Sequence, residues 1–155
     1  MIEKLIPTDL KILNHMLEFD SQNISKIAKE LNLPPSTIHK RINALKEKGL
    51  IKRMVPELDT DKLGLPTLAL IEIDVIEQSI IPKLDKRFGN SANVVISLGI
   101  YGNYDYLLGV YVSSDNELDD LRKELEHFPG VKMVYATIVG TKYRFSTIPF
   151  PLKVK

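Results

Sequence analysis

From Thr67 to Gly140 the spacing of the apolar residues switches repeatedly between a period of two and a period near 3.6, and few folds accept that succession. In TLALIEIDVI (67–76), Leu68, Leu70, Glu72 and Asp74 alternate with Ala69, Ile71, Ile73 and Val75, which predicts a strand with at least one apolar face. SIIPKLDKRF (79–88) reads as a helix with Pro82 in its first turn and Gly89-Asn90 as its stop. NVVISLGI (93–100) and YDYLLGVYV (104–112) read as two strands joined across YGN, a short glycine-containing turn that suggests a hairpin. DNELDDLRKELEHF (115–128) places Leu118, Leu121, Leu125 and Phe128 at helical spacing, with Asp115 as a cap and Pro129-Gly130 as its end. VKMVYATIVG (131–140) supplies a fourth strand. The order β-α-β-β-α-β predicts a ferredoxin-like plait, an antiparallel four-stranded sheet with both helices on one face.

The first third has a different rhythm. Thr8 can cap a helix in which Leu10, Ile12, Leu13, Met16 and Leu17 form an apolar face, with Asp9 in the favourable first turn and an end near Phe19 to Asp20. Asn23 can cap a short second helix with Ile24, Ile27, Ala28 and Leu31 inward and a turn at Asn32. Leu33-Pro34-Pro35 stops that helix and starts another, because proline disfavours helix before itself and suits a first helical position. The third helix should run from about Pro35 to Lys48, with Gly49 as its C-cap. A short helix, a tight turn and a longer helix make a helix-turn-helix. The expected fold class is therefore α+β, a helix-turn-helix (winged-helix-like) domain followed by the plait. The expected domains are 1–52, a hinge ribbon 53–64, and 65–155. Within the ribbon, LIKRMVPELD (50–59) is either a wing or a connector, and Pro56 confines any strand there to an edge. Asp59 should cap a short turn, DTDKLG, closed by Gly64.

Charge is segregated in the same way. The net charge is +1, yet residues 1–55 hold ten Lys/Arg against six Asp/Glu, and residues 56–155 hold eleven against fourteen. Eight basic and two acidic residues lie between Asn23 and Met54. A polyanion meets the local field, so this excess points to nucleic acid more than the total does; a solvated helical surface is the bland alternative. With Ile38, Ile42 and Leu45 turned inward at about 100° per residue, Ser36, His39, Lys40, Asn43 and Glu47 face outward. Ser36 and Thr37, at the helix start, would meet phosphate or base edges; His39, Lys40 and Asn43 are candidate base readers; Arg41 and Lys46 would grip phosphates from the flanks. A plain helical bundle with a wet face would show much the same pattern.

Other chemistries find little support. No cysteine is present, which excludes disulfides and thiol catalysis. His15, His39 and His127 stand in no metal-ligand spacing, Asp119-Asp120 reads as helix surface, and no Walker or dinucleotide glycine motif, hence no cofactor site, occurs. The start MIEKLIPTDL lacks a signal-peptide pattern, and the charge-free stretch that includes Ser91 to Tyr104 is too short and too glycine-broken to span a bilayer, so the expectation is a cytoplasmic protein without a membrane partner. An enzyme is not expected. A protein-interaction module with a helix-turn-helix that never touches DNA is the alternative to a regulator. Tyr101, Tyr104, Tyr106, Tyr111 and Tyr135 lie in or near the strands; strand propensity accounts for most of them, yet an apolar sheet face seeks a partner. A sheet-to-sheet homodimer would pair two helix-turn-helix units for a pseudo-palindrome with half-sites about 34 Å apart.

TDLKILNHMLEFDSQNISKIAKELNLPPSTIHKRINALKEKGLIKR, with Ser36-Thr37 opening the third helix and Leu45 to Ile51 closing it, resembles the amino-terminal domain of the leucine-responsive regulatory protein and asparagine-operon regulator family, Lrp/AsnC. LDTDKLG resembles that family's hinge, and GNYDYLLGV (102–110) its Gly-x-Tyr-Asp turn. The resemblance covers nearly the whole chain. It implies a transcription regulator of double-stranded DNA that dimerises through its sheets, often assembles into octamers, and binds a small effector, commonly an amino acid, between dimers. Carried over by position, the effector loop is Tyr101, Gly102, Asn103, Tyr104 and Asp105, with Ala136, Thr137 and Ile138 on the last strand as neighbours. The chemistry is compatible: glycine lets amides approach a carboxylate, Asp105 can pair with an ammonium and Tyr104 can wall a pocket. A Gly-Asn hairpin with positive φ would need no ligand at all. Tyr101 stands where the family usually has Ser or Thr. Pro34 stands where it favours Ser, which removes a side-chain N-cap worth about 1 kcal/mol.

Overall fold

The computed structural model of the chain describes residues 5–18, 23–56 and 58–141. These form two compact units, one ending at residue 56 and one running from 58 to 141.

In the first unit, α1 spans Pro7–Glu18, α2 Ile24–Leu31 and α3 Pro35–Glu47. Helix α1 begins two residues earlier than a Thr8 cap would allow. The Ile6 carbonyl accepts from the Asp9 N–H at 3.0 Å and the Leu10 N–H at 3.3 Å, so Pro7, which has no N–H to lose, takes the first helical position. The expected end near Phe19 to Asp20 lies outside the described residues. Asn23 does cap α2, its side chain accepting from the Lys26 N–H at 3.1 Å. Asn32 ends that helix in the left-handed region (φ 53°), and the Leu33 N–H closes back on the Ala28 carbonyl at 2.9 Å. Pro34 offers α3 no side-chain cap, and Pro35 sits in the first turn. Ile12, Ile27, Ala28, Ile38 and Ile42 form the core, with Met16, Ile24, Leu31, Leu33, Ile51 and Met54 packed around it. Buried His15 is hydrogen-bonded through Nε2 to Glu30 at 2.5 Å, tying α1 to α2.

No strand forms among the described residues from Leu50 to Asp59, so the ribbon is not a β-wing here. Ile51 and Met54 pack against the helical core, while Leu50, Val55 and Leu58 stay exposed. Asp59 accepts from the Lys62 N–H at 3.1 Å and Gly64 closes the turn with φ +76°.

The second unit has the strands β1 (Thr67–Val75), β2 (Val94–Gly99), β3 (Tyr106–Val112) and β4 (Val131–Ile138) in the order β2-β3-β1-β4, with every neighbouring pair antiparallel. This is the plait expected from the element order. Ala69, Ile71, Ile73 and Val75 alternate inward and join Tyr106, Leu108, Val110, Val112 and Val134 beneath Leu84, Phe88, Leu118 and Leu125 of the helical layer. The register puts Leu70, Glu72, Asp74, Ile96, Leu98, Leu107, Met133 and Tyr135 on the opposite face. That face holds large apolar side chains in the open, Leu98 at 51% exposure and Met133 and Tyr135 at 44% each.

Three local expectations are corrected. The helix after β1 is not uniform: a 3₁₀ turn (Gln78–Ile80) leads into α4 (Ile81–Leu84) and then a π-helical turn (Asp85–Gly89). Helix α5 (Asp115–Glu126) is capped by Ser114, not Asp115: the Ser114 hydroxyl accepts from the Glu117 N–H at 3.3 Å while the Glu117 carboxylate accepts from the Ser113 N–H at 2.7 Å. The β2–β3 connection is six residues, 100 to 105, instead of the short YGN turn, because Gly99 already pairs with Tyr106.

The Tyr106 ring is buried and its hydroxyl donates to Asp85 Oδ1 at 2.9 Å, with Ser97 Oγ 2.8 Å away. Burial pushes its pKa up to about 12; the bond with Ser97 opposes the rise and the Asp85 carboxylate adds to it. An unfolded tyrosine loses its proton near pH 10. Between about pH 10 and pH 12 the unfolded chain therefore binds fewer protons than the folded one, so this contribution is complete below pH 10 and drains as pH rises. Denaturant midpoints should fall more steeply across that window in the parent chain than in Tyr106→Phe; parallel curves would assign the titration to another group.

Candidate nucleic-acid interface and effector loop

Helix α3 separates its side chains cleanly. Ile38, Ile42 and Leu45 are buried, at 0%, 4% and 2% exposure, while Ser36, His39, Lys40, Asn43 and Lys46 are exposed and Thr37 is half-buried. The helix stays in register with its core because the apolar stripe repeats at i, i+4 and i+7. Among the described residues the outward face carries one contact of its own, a 3.5 Å approach of Asn43 Nδ2 to His39 Nδ1. A shallow groove beside the start of α3 is lined by Ser25, Lys29, Asn32 and Pro35. Ser25 and Lys29 are not among the candidates that the sequence offers; on α2 they share no periodic signal with α3, and only the α2–α3 packing brings them alongside.

Arg41, expected to grip a phosphate from the flank, is half-buried. Its Nη1 lies 3.5 Å from Asp9 Oδ1 of α1, and the Asp9 side chain is 12% exposed. The guanidinium thus serves an internal carboxylate. Asp9, read from the sequence as a first-turn helix charge, is the acid that engages it.

In the second unit the loop 100 to 105 is braced by Asp105. Its N–H donates to the Ile73 carbonyl at 3.0 Å, and its own carbonyl accepts from the Ile100 N–H at 2.9 Å. Its carboxylate accepts from the Val75 N–H at 3.0 Å and from Gln78 Nε2 at 2.5 Å. The Val75 N–H is released for this at the point where the β1–β4 register shifts, between Asp74 and Val75. Beside it, Asp74 takes an ion pair from Lys132 at 2.8 Å, and that charge-assisted bond holds the Asp74 carboxyl below the usual carboxylate range. Tyr104 meets Tyr135 edge-on, with ring centroids 5.3 Å apart.

The carried-over loop residues stay together: Tyr101, Gly102 and Asn103 are exposed at its tip, and Tyr104 and Asp105 are half-buried at its base. Gly102 does not adopt positive φ, unlike Gly49, Gly64 and Gly130; a six-residue loop has no need of a tight primed turn. Its site is open, with nothing within 4 Å of an added Cβ. The β4 neighbours are less close within one subunit. Ala136 pairs with Ile71 and packs toward the helices, and Thr137 and Ile138 pair with Leu70 and Ala69, further along β1 than the loop anchor at Ile73. Tyr135 and Gln78 are the residues that the fold brings to the loop, and they lie 31 and 27 positions from their partners Tyr104 and Asp105, beyond the reach of any local pattern.

Comparison with known proteins agrees with this architecture. Residues 7–52 match a family model described as winged helix-turn-helix DNA-binding. The chain is 28% identical to the HTH-type transcriptional regulator FL11 of Pyrococcus horikoshii, across 94% of this chain and 95% of that one. Among solved structures, Escherichia coli AsnC superposes with a TM-score of 0.80 at 19% identity, covering 94% of this chain and 99% of its own. A Neisseria meningitidis transcriptional regulator solved as an L-Met complex superposes at 0.84 with 20% identity, over 94% and 97% of the two chains. A winged helix-turn-helix model over the first unit and a transcription-regulator relative along nearly the full length make this chain similar to helix-turn-helix transcription regulators, and its two-part fold is the fold of AsnC.

Proposed function

We propose that the chain is a sequence-specific DNA-binding transcription regulator that pairs through its sheet face and responds to a small effector of the amino-acid class. The observation that carries the DNA reading is the bare polar side of α3: Ser36, His39, Lys40, Asn43 and Lys46 project from a helix whose opposite stripe is buried. A helix with that division fits a major groove. His39, Lys40 and Asn43 are the base readers in this reading, and Ser36, Thr37 and Lys46 hold the backbone. Two-fold pairing gains support from Leu98, Met133 and Tyr135 on the open sheet face, and it would present two recognition helices to a pseudo-palindromic operator. Octamer assembly extends the same reading. The proposed effector site is the loop Tyr101 to Asp105, with β4 neighbours Ala136, Thr137 and Ile138 contributing across an assembly interface. Within it the open backbone at Gly102 can receive a carboxylate, and Tyr104 with Tyr135 supplies an aromatic wall. Asp105 acts here as the brace of the loop, since both of its carboxylate oxygens already accept hydrogen bonds. The reading includes no catalytic role and places the protein in the cytoplasm; among the described residues no helix is long and apolar enough to cross a membrane.

Selection of bound duplexes from random DNA, with and without a pool of amino acids, tests the whole reading. Enrichment of a two-fold motif that changes with the pool is expected; no binding at low salt would favour a protein-interaction module instead. On the selected operator, Lys40→Ala and Asn43→Ala should each cost about 1–3 kcal/mol of discrimination at particular base pairs, whereas Lys46→Ala should weaken all duplexes alike and reduce the salt slope by about one. Competition binding with single-base operator variants distinguishes the two patterns, and a reversed assignment would mean a different docking of α3.

A further inference from the structure

We propose that Arg41 is a positioning residue of the recognition helix, held by Asp9 of α1, and that it makes no phosphate contact; this rests on the DNA-binding reading above. At about 100° per residue Arg41 lies roughly 60° from Ile38, on the edge of the buried stripe, and roughly 160° from Asn43 at the middle of the polar face. Its partner is an unusual acid. Asp9 is 8% exposed, and its Oδ1 has no hydrogen-bond partner among the described residues, only the Arg41 guanidinium at 3.5 Å. A carboxylate so far out of water is costly unless a cation stays beside it.

Two roles for Arg41 compete on these facts. A phosphate-gripping Arg41 would share or leave Asp9, weakening the cover of a buried negative charge, and Asp9 would then act as a competitor of DNA. Arg41 as a strut leaves the pair intact on binding and fixes how α3 is rotated against α1. The roles predict opposite signs for the same substitution. Removing the Asp9 charge frees Arg41, so it should tighten DNA binding under the first role and loosen it under the second. Lys46, on the other flank of α3 and exposed, serves as the internal standard for a phosphate contact.

The test uses the full chain, a duplex recovered by selection and a random duplex of equal length, with affinity measured across a salt series. Absence of any salt-dependent binding by the parent chain would defeat the DNA-binding reading itself, an outcome distinct from any result on Arg41. Asp9→Asn is expected to bind the selected duplex about tenfold more weakly with an unchanged salt slope, and to lose preference over random DNA. Arg41→Gln should do the same, the double variant should add little, and Arg41→Lys should recover most of the preference. Thermal melts confirm that each variant is folded at the assay temperature. The proposal is overturned if Arg41→Gln lowers the salt slope by about one, as Lys46→Ala should. It is equally overturned if Asp9→Asn binds as tightly as the parent chain or more tightly. Should Asp9→Asn not fold, Arg41→Gln, whose side chain is 42% exposed, decides the matter alone through its slope.

Discussion

Ile38→Ala is expected to destabilise the helical unit by about 2–5 kcal/mol, the range for truncating a fully buried isoleucine, and to remove DNA binding with it. Ile38 is 0% exposed and shares its core with Ile12, Ile27, Ala28 and Ile42, so few other apolar side chains remain to absorb the loss. Units of this size bury a smaller fraction of their surface than larger domains do and have little stability in reserve. The substitution also acts on function through one helix, because Ile38 anchors the face opposite His39 and Asn43. Ile38→Val, which removes one methylene, should cost about 0.5–1.5 kcal/mol and keep operator binding. Chemical denaturation followed by circular dichroism, paired with operator titrations, checks both. Two small and equal effects would show that α3 is anchored elsewhere.

Gly130→Ala should cost more than about 2 kcal/mol in the second unit, combining a strained backbone with overpacking. Gly130 turns the chain between α5 and β4 at φ +90°, a conformation that L side chains avoid. A Cβ there would stand 2.5 Å from Ile80 Cδ1 and 2.8 Å from its Cγ1, and Ile80 is itself buried at 7% exposure. The side chain cannot simply swing aside. The Gly130 carbonyl also accepts from the Ile76 N–H at 2.9 Å, so a displaced turn would disturb the end of β1 beside the Asp105 brace. Gly102→Ala is the control: φ is ordinary and no atom lies within 4 Å, so its melting temperature should stay close to that of the parent chain. A shift of several degrees for Gly130→Ala against none for Gly102→Ala is the expected contrast.

Much of the architecture is legible in the residue pattern alone. The switch from a 3.6 to a 2 period locates α1 to α3 and the four strands within a few residues, since burial of one face is what each period encodes. Asn23, Asn32, Gly49 and Asp59 are legible as caps and stops, because capping is chemistry between neighbours three or four positions apart. Pattern and structure part where two neighbours compete for one task. Thr8 loses the α1 start to Pro7, and Asp115 loses the α5 cap to Ser114, whose hydroxyl accepts from the Glu117 N–H while the Glu117 carboxylate accepts from the Ser113 N–H. The YGN hairpin fails for another reason: alternation in YDYLLGVYV does not reveal where pairing stops, and Gly99 paired with Tyr106 leaves a loop twice as long.

Local chemistry in the chain determined the helices, several of their caps, the places of the strands along the sequence and the polar side of α3, for all of these depend on residues close enough to interact before the fold exists. Which distant groups would meet was settled in three dimensions. Arg41 looks like any basic residue on a helix until α1 brings the Asp9 carboxylate to 3.5 Å, and nothing local to Asp105 signals that Val75 and Gln78 will donate to its carboxylate. Periodicity records only whether a side chain faces inward or outward, whereas a buried charge is stabilised by a partner whose position in the chain no local pattern encodes.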